Sequence, residues 1–294
     1  FGGRRRLADE GPASVSLISS QSPLQFHADM TGALMELAQA GQACVIDSLV
    51  MAGSSGPVTL AGALALQNAE ILAGVVLSQL IRPGAPVLYG GLSTAMEMRS
   101  GGLAVGCPEL SQMVAASAQM ARLYGLPCRS GGSLTDAHVA DAQAAVESAL
   151  ALSTAVQSGV DFILDAAGIL GAYMSMSFEK FLIDEEVCGL VRRQNAPMEV
   201  SDDAIDVEMI ASVGIGGQYL THPQTLRRCR TEFYQTDLFG RQNHAGWTSA
   251  GARRIESTAT RQLEARLAAY EKPELDPDIA AALRAYAITD EPGR

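Results

Sequence analysis

Short apolar runs alternate with longer segments of helical periodicity over the first two-thirds of the chain. The short runs predict five β-strands, at 14–19, 42–50, 85–89, 126–130 and 161–166. Apolar residues at helical spacing predict helices at 25–39, 59–81, 111–124, 140–157 and 177–193. Because strands and helices alternate and the strands are continuously apolar, the pattern indicates an α/β fold with a parallel sheet.

Two architectures fit five such units, an open doubly wound sheet and part of a (β/α)8 TIM barrel. No unit carries a G-x-G-x-x-G turn with an acidic residue about 20 positions later, which argues against a dinucleotide-binding sheet. Polar loops after every strand favour the barrel, whose site lies at the carboxyl ends of its strands. Since five units cannot close an eight-stranded barrel, we expect about three units upstream of Phe1, or closure by association.

The pattern changes after residue 197. Charged, amphipathic helices are predicted at 202–213, 227–239, between 246 and 270, and at 276–286. This is typical of a helical appendage rather than of further barrel units. We therefore expect the C-terminal portion of a TIM barrel at 1–197 and a helical C-terminal extension at 198–294.

Composition argues against several classes of function. The 294 residues carry a net charge of −11, whereas non-specific nucleic-acid binding requires basic stripes. The five cysteines show no C-x-x-C or Cys/His spacing typical of zinc, so we expect no metal site and a reducing compartment. Apolar runs too short for a membrane span, and the lack of a secretory signal, predict a cytoplasmic protein without a membrane partner.

Five stretches, in this order, carry a family resemblance. They are GPVTLAGALALQNAEILAG (56–74), VLYGGLSTAMEMRSGGLAVGCPE (87–109), SGGSLTDAHVADAQAA (130–145), FEKFLIDEEVCGLVRR (178–193) and YLTHPQTLRRCRTEF (219–233), the last followed by Trp247. Over nearly its whole length the chain resembles the trimethylamine methyltransferase (MttB-like) superfamily, as a member without pyrrolysine. Each motif alone is weakly specific, but the ordered set is strongly specific.

The resemblance implies a TIM barrel longer than this chain and transfer of a methyl group from a methylamine to the Co(I) of a separate corrinoid protein. The implied partners are a small methylamine and the cognate corrinoid protein, which supplies the cobalamin-type cofactor, so that none is tightly bound here. Without pyrrolysine, the implied substrate is a quaternary ammonium such as glycine betaine or carnitine rather than trimethylamine. We also expect a homo-oligomer.

Binding a quaternary ammonium requires aromatic faces or carboxylates in a sheltered pocket, while the cobalt supplies the nucleophile. Aromatic and charged residues near the predicted strand ends are therefore candidate substrate-binding residues: Tyr89, Glu97, Arg129, Asp136, Phe162, Asp165 and Tyr173. Arg129 can bind a substrate carboxylate or form an ion pair inside the barrel, and Asp136 can instead cap the following helix. No catalytic residue and no metal ligand is assigned.

Two alternatives to a methyltransferase stay open. A barrel lyase with Schiff-base chemistry needs a lysine at a strand end, and the two lysines, Lys180 and Lys272, lie outside the predicted strands. The other alternative is a non-catalytic barrel protein that binds quaternary amines. Methyl transfer to a corrinoid protein is the activity that separates these alternatives from the enzyme.

Overall fold

The computed structural model of the chain describes residues 11–289. Its strands are β1 (Val15–Ser19), β2 (Ala43–Ser48), β3 (Met51–Ala52), β4 (Val87–Gly91), β5 (Thr94–Glu97), β6 (Gly102–Ala104), β7 (Cys128–Arg129), β8 (Ile169–Leu170) and β9 (Ser175–Met176). Its helices are α1 (Ala28–Gln39), α2 (Leu60–Ile81), α3 (Pro108–Tyr124), α4 (Ala142–Gln157), α5 (Phe178–Gln194), α6 (Asp202–Ile205), α7 (Val207–Val213), α8 (Pro223–Glu232), α9 (His244–Ser249), α10 (Ile255–Ala268) and α11 (Pro277–Thr289). The alternation of strands and helices up to α5 confirms the predicted α/β fold.

The main sheet is parallel, and its strand order β1-β2-β4-β7 follows the order of the chain. A further parallel bridge joins Arg129 to Phe162, so the segment 161–166 lies next to β7. This segment forms only that bridge instead of the predicted strand, because the chain has left the extended conformation at Asp165, where φ is 57°. Among the described strands, each new segment is added on the same side, without the reversal of a doubly wound sheet.

Two small sheets accompany the main one. β3 and β5 pair in parallel, and β5 continues into β6 as an antiparallel hairpin. The sequence pattern predicts a long glycine-rich loop at 90–109, so this hairpin is a correction. Its turn uses Gly101, which has a φ of 74° and donates to the carbonyl of Glu97 at 2.8 Å. β8 and β9 form a second antiparallel hairpin.

The two faces of the parallel sheet carry different residues, because residues in register share a face. One row packs in the main hydrophobic core with residues of α1, α2 and α3, and it consists of Ile18, Ile46, Tyr89 and Cys128. The next row points to the opposite face and consists of Ser19, Asp47, Gly90 and Arg129. The helices α1 to α5 contact one another in chain order and continue the layer on the first face.

Among the described helices, α2 is long and apolar enough to cross a membrane by length and composition alone. The helix predicted at 59–81 is present and comprises 22 residues, so the expectation that the apolar runs are too short for a membrane span is wrong for this helix by length. Its buried polar side chains nevertheless bind within the protein, since Gln67 donates to the hydroxyl of Ser117 in α3 at 2.9 Å. We therefore interpret α2 as a core helix.

Glu70 of α2 ties that helix to the ends of the first two strands. Its buried carboxylate accepts hydrogen bonds from Ser20 Oγ (2.5 Å), Ser48 Oγ (2.7 Å), Ser22 Oγ (2.8 Å) and the backbone N–H of Leu24 (2.8 Å). Burial by itself raises the pKa of Glu70, but these hydrogen bonds outweigh burial and hold the pKa below its ordinary value. The carboxylate therefore acts as an ionised structural link.

The described region after residue 198 contains helices, and one of them packs on the last helix of the α/β part. α10 contacts α5, and their shared core consists of Leu182, Ile183, Leu238 and Ala259. Arg266 of α10 forms a 2.8 Å ion pair with Glu185 of α5. The helix predicted at 227–239 lies instead at Pro223–Glu232, and two helices, α9 and α10, occupy the region between 244 and 268.

We expect Glu70→Gln to lower the free energy of unfolding by at least about 2 kcal/mol. The NH₂ group of the glutamine side chain would face hydroxyl and N–H groups that donate to the carboxylate in the parent protein. Glu36→Gln, at an exposed position of α1, is the control, and we expect it to change the stability by less than about 0.5 kcal/mol. Urea unfolding of both variants measures the difference. Equal stability of the two variants would contradict the structural role of Glu70.

Candidate functional site

An arginine and an aspartate meet at the carboxyl end of the parallel sheet. Arg129, the last residue of β7, places Nη1 2.9 Å from Oδ1 of Asp47 in β2. The intervening strand β4 offers Gly90 at the same register position. A side chain there would leave the sheet between the two charged groups, so glycine permits the ion pair to form across β4.

Asp165 is the third charged member of this cluster. Its Oδ2 lies 3.4 Å from Nη2 of Arg129. The Arg129 side chain is 2% exposed and that of Asp165 is 27% exposed. The cluster is therefore buried at Asp47 and Arg129 and reaches the surface at Asp165.

The electrostatics of the cluster favour a cation as its ligand. Burial raises the pKa of Asp47 to about 6, Arg129 opposes this rise and Asp165 adds to it. At neutral pH Asp47 is therefore predominantly ionised, and the cluster holds two acidic side chains against one guanidinium. A positive group beside Asp165 is favoured by this excess of acidic side chains.

Tyr173 brings a phenol to the same cluster. It lies in the hairpin between β8 and β9 and has a positive φ of 73°. Burial raises the pKa of Tyr173, Asp165 raises it further and Arg129 opposes the rise, so the phenol lies in the field of these charges. Its buried hydroxyl has no hydrogen-bond partner among the described residues.

Phe162 places an aromatic ring beside the charges. It is the in-register parallel partner of Arg129, so its side chain leaves the sheet on the same face. The residue is 38% exposed, which leaves part of the ring available to another molecule. An accessible aromatic face combined with acidic side chains is an arrangement that suits quaternary ammonium groups.

The structure thus brings together four of the sequence-predicted candidates, namely Arg129, Phe162, Asp165 and Tyr173. Two others lie elsewhere. Tyr89 is buried on the helix side of the sheet, where its hydroxyl donates to Oδ1 of Asn68 at 3.2 Å. Glu97 is exposed at the end of β5 and accepts from the backbone N–H of Arg99 at 2.9 Å.

Asp136, the remaining candidate, closes a loop. Its two carboxylate oxygens accept from the backbone N–H groups of Val105 (2.8 Å) and Gly106 (2.9 Å). It does not cap the following helix, because Asp141 does so by accepting from the N–H of Ala144 at 3.1 Å. Both oxygens of Asp136 therefore have partners within the protein.

Asp47 is the member of the cluster that sequence reasoning missed. It is the single charged residue in the apolar run 42–50, and charged residues are rarely buried without a partner. A lone charged residue in an apolar run was the sequence signal that could have identified Asp47 as a member of the cluster. Its partner Arg129 lies two strands away in the sheet, and this pairing follows from the register rather than from the sequence.

The glycine pair after Arg129 is required by packing. Gly132 has a φ of 146°, and a Cβ there would lie 2.5 Å from the carbonyl oxygen of Leu164. Gly131 has a φ of 71°, and its Cβ would lie 2.6 Å from that of Ala155 in α4. The loop thus lies directly against the segment that carries Asp165, and the glycines position the cluster.

Neither lysine is available for Schiff-base chemistry at this cluster. Lys180 is buried in α5, where Nζ donates to the two carboxylate oxygens of Asp184 (2.7 and 2.5 Å) and to Ser148 Oγ (2.8 Å). Burial lowers the pKa of Lys180, and Asp184 opposes that effect. Lys272 is exposed in the C-terminal region. The lyase alternative therefore lacks the lysine nucleophile that Schiff-base chemistry needs at a strand end.

We expect Gly132→Ala to lower the free energy of unfolding by at least about 2 kcal/mol, because the new Cβ would meet the Leu164 carbonyl at an unfavourable φ. Gly32→Ala is the matched control, since nothing lies within 4 Å of a Cβ at this exposed position of α1. We expect that control to gain up to about 1 kcal/mol. Denaturant unfolding of both variants measures the difference. A Gly132→Ala protein as stable as the parent would contradict the close packing of Gly132 against Leu164.

Asp47 should make stability depend on pH. Its pKa rises from 3.8 to about 6 on folding, so the folded state binds the proton more tightly and stability falls as the pH rises through this window. Asp47→Asn cannot titrate there. The stability of the parent relative to Asp47→Asn should therefore fall by up to about 3 kcal/mol between about pH 4 and pH 6. Urea unfolding at a series of pH values measures this, and a constant difference would contradict the raised pKa.

Comparisons with known proteins give the context for this cluster. The sequence profile described as "Trimethylamine methyltransferase (MTTB)" matches residues 1–291. The glycine betaine methyltransferase of Desulfitobacterium hafniense is 45% identical over 97% of this chain and 59% of its own length. The proline betaine:corrinoid methyltransferase of Eubacterium limosum is 37% identical over 95% of this chain and 58% of its own length.

The trimethylamine methyltransferase MttB of Methanosarcina barkeri is 34% identical over 97% of this chain and 57% of its own length. The chain thus spans less than two-thirds of the length of the curated relatives that it matches. The profile match, in contrast, extends over almost the whole chain. The chain therefore belongs to the trimethylamine methyltransferase family.

Proposed function

We propose that the chain is part of a corrinoid-dependent methyltransferase. It takes a methyl group from a quaternary or tertiary methylamine, glycine betaine-like or trimethylamine-like, and transfers it to the cobalt of a partner corrinoid protein. The observation that carries the proposal is the anionic, partly aromatic cluster of Asp47, Arg129, Phe162 and Asp165. The names of the relatives, which include betaine and trimethylamine methyltransferases, support it.

The proposed fold of the whole protein is a (β/α)8 TIM barrel with a helical C-terminal extension. The support is the strand order, because successive parallel segments and their helices are added in one direction. Residues 1–197 supply five units in this proposal, and residues 198–294 form the extension. β1 has no partner on its outer side among the described strands, and such an edge needs cover. Further strands of the barrel, or a second copy in a homo-oligomer, would supply it.

A quaternary ammonium fits the cluster for physical reasons. The group has no N–H, so charge and contact with aromatic faces bind it instead of hydrogen bonds. Asp165 offers a partly exposed carboxylate, and Phe162, the register partner of Arg129, offers a partly exposed ring. Arg129 offsets part of the negative charge, which limits how tightly the site holds a cation whose charge disappears during transfer.

Methyl transfer from a quaternary amine needs no acid. The acceptor, the Co(I) of the corrinoid protein, supplies the electron pair for the new carbon–cobalt bond. The amine keeps the electrons of the broken C–N bond and leaves as a neutral tertiary amine, so no proton has to be delivered. The residues of this chain orient the N–CH₃ bond and exclude water. This chemistry favours a quaternary donor over trimethylamine for this cluster.

The proposed compartment is the cytoplasm. All five cysteines are free thiols, and Cys44 and Cys128 are buried in the main core. Free thiols persist in a reducing compartment. A cytoplasmic location also places the enzyme with a corrinoid protein in the Co(I) state, which requires reducing conditions.

The proposal is tested by mixing full-length protein with a Co(I) corrinoid protein and glycine betaine, carnitine or trimethylamine. We expect the spectrum of methyl-Co(III) to appear with a quaternary amine. Asp165→Asn should slow the transfer by about 10-fold or more, because it removes the accessible negative charge. Glu97→Gln, an exposed carboxylate outside the cluster, is the matched control and should leave the rate unchanged.

The corrinoid protein is shown to be active beforehand by methylation with a chemical methyl donor. With that control in place, the absence of methyl-Co(III) with any amine would contradict the proposed activity. Binding of a quaternary amine without transfer would favour the non-catalytic alternative.

A further inference from the structure

The helices of the C-terminal extension form a basic region in an acidic chain. The segment 223–268, from the start of α8 to the end of α10, contains eight arginines, no lysine and four acidic residues. The whole chain, in contrast, has a net charge of −11. Because a local excess of positive charge attracts anions, this part of the chain favours negatively charged ligands.

Two of these arginines have no partner for their charge. Arg266 shows the usual arrangement, since it forms a 2.8 Å ion pair with Glu185. The guanidinium groups of Arg253 and Arg261 form neither an ion pair nor a hydrogen bond with any group in residues 11–289. Both residues are exposed, so both guanidiniums are available to an anion from outside the chain.

Arg253 and Arg261 line the same cavity, which has a volume of about 410 Å³. The cavity lies between the loop 236–240, the short helix α9 and the first half of α10. Asp237 also lines it, so its charged side chains are one carboxylate and two guanidiniums. The cavity therefore carries an excess of positive charge, and an anion between the two guanidiniums relieves their mutual repulsion.

Trp247 of α9 gives the cavity an aromatic wall. Its Nε1 donates to the carbonyl oxygen of Arg253 at 3.2 Å, which fixes the indole beside a residue that carries an unpaired guanidinium. Trp247 is 37% exposed, so part of the ring is accessible to a ligand. The cavity thus combines a fixed aromatic surface with two unpaired cations.

The size and lining of the cavity distinguish between classes of anion. Inorganic phosphate or a small carboxylate fills a minor part of such a volume and makes no use of the indole. A phosphate monoester carries nearly two negative charges at neutral pH and matches two guanidiniums, whereas a carboxylate matches one. A nucleobase stacks favourably on an aromatic side chain. A phosphate monoester that carries a base uses both features of the lining.

We propose that this cavity binds a nucleoside monophosphate. Its phosphate binds the guanidinium groups of Arg253 and Arg261, and its base stacks on Trp247. The ligand is a single nucleotide rather than a nucleic acid strand, because a strand requires a basic groove with a succession of aromatic residues. The site shares no residue with the cluster around Arg129, so the proposal is independent of methyl transfer.

Fluorescence and isothermal titration calorimetry of the full-length protein test the proposal. The probes are adenosine monophosphate (AMP), adenosine and inorganic phosphate. We expect AMP to bind at least about 10-fold more tightly than either of the others, because it alone uses both the arginines and the indole. Trp247 is the single tryptophan of these 294 residues. We expect AMP to quench its fluorescence, and this quenching should be absent in Trp247→Phe.

Two arginine variants separate the cavity from the general charge of the region. Arg261→Gln removes one guanidinium and should weaken AMP binding by about 10-fold while leaving adenosine binding unchanged. Arg230→Gln is the matched control, because it makes the same change of charge at an exposed residue of α8 that does not line the cavity. It should leave the affinity for AMP unchanged. Circular dichroism checks the folding of both variants.

Three results would overturn the proposal, whatever the methyl-transfer assay gives. The first is a failure of AMP to bind the parent protein. The second is an affinity for AMP no higher than that for inorganic phosphate or for adenosine, since the cavity would then recognise an anion or a base alone. The third is an equal loss of AMP binding in Arg261→Gln and Arg230→Gln, because general charge would then explain the binding.

Discussion

The Arg129 guanidinium holds together three segments that are far apart in the sequence. It binds Asp47 at the end of β2 and Asp165 after the bridge at Phe162, and it crosses β4 over Gly90. A buried arginine with a single carboxylate would leave its other donors unsatisfied, and loss of either partner would leave a charge buried without compensation. The carboxyl end of the sheet therefore depends on this shared ion pair.

The loops around the cluster are shaped to maintain it. Gly132 lets the chain after Arg129 lie against Leu164, and Ser133 donates to the carbonyl of Asp165 at 3.0 Å. Asp165 itself adopts a left-handed conformation with a φ of 57°, which is uncommon for a residue other than glycine. Conformations of this kind cost free energy and persist where the surroundings enforce them, which is typical of functional sites.

The sequence pattern predicted the repeating strand and helix units because continuous apolar runs and helical spacing are local properties. It placed Arg129 and Asp165 at strand ends for the same reason. It missed Asp47, whose role depends on register across β4. For Asp136 it offered substrate binding or a helix cap, because the loop at Val105 that binds this carboxylate is distant in sequence. Tyr89 was predicted for the site, yet strand register turns it toward the helices. Non-local register and loop contacts are the information that the sequence pattern lacked.

The central claim is that the cluster around Arg129 binds the methyl donor. A crystal structure of the full-length protein with glycine betaine tests this most directly. We expect the quaternary nitrogen within roughly 6 Å of the Phe162 ring centroid, with Asp165 as its nearest carboxylate. Glycine betaine bound away from Phe162 and Asp165 would contradict the claim.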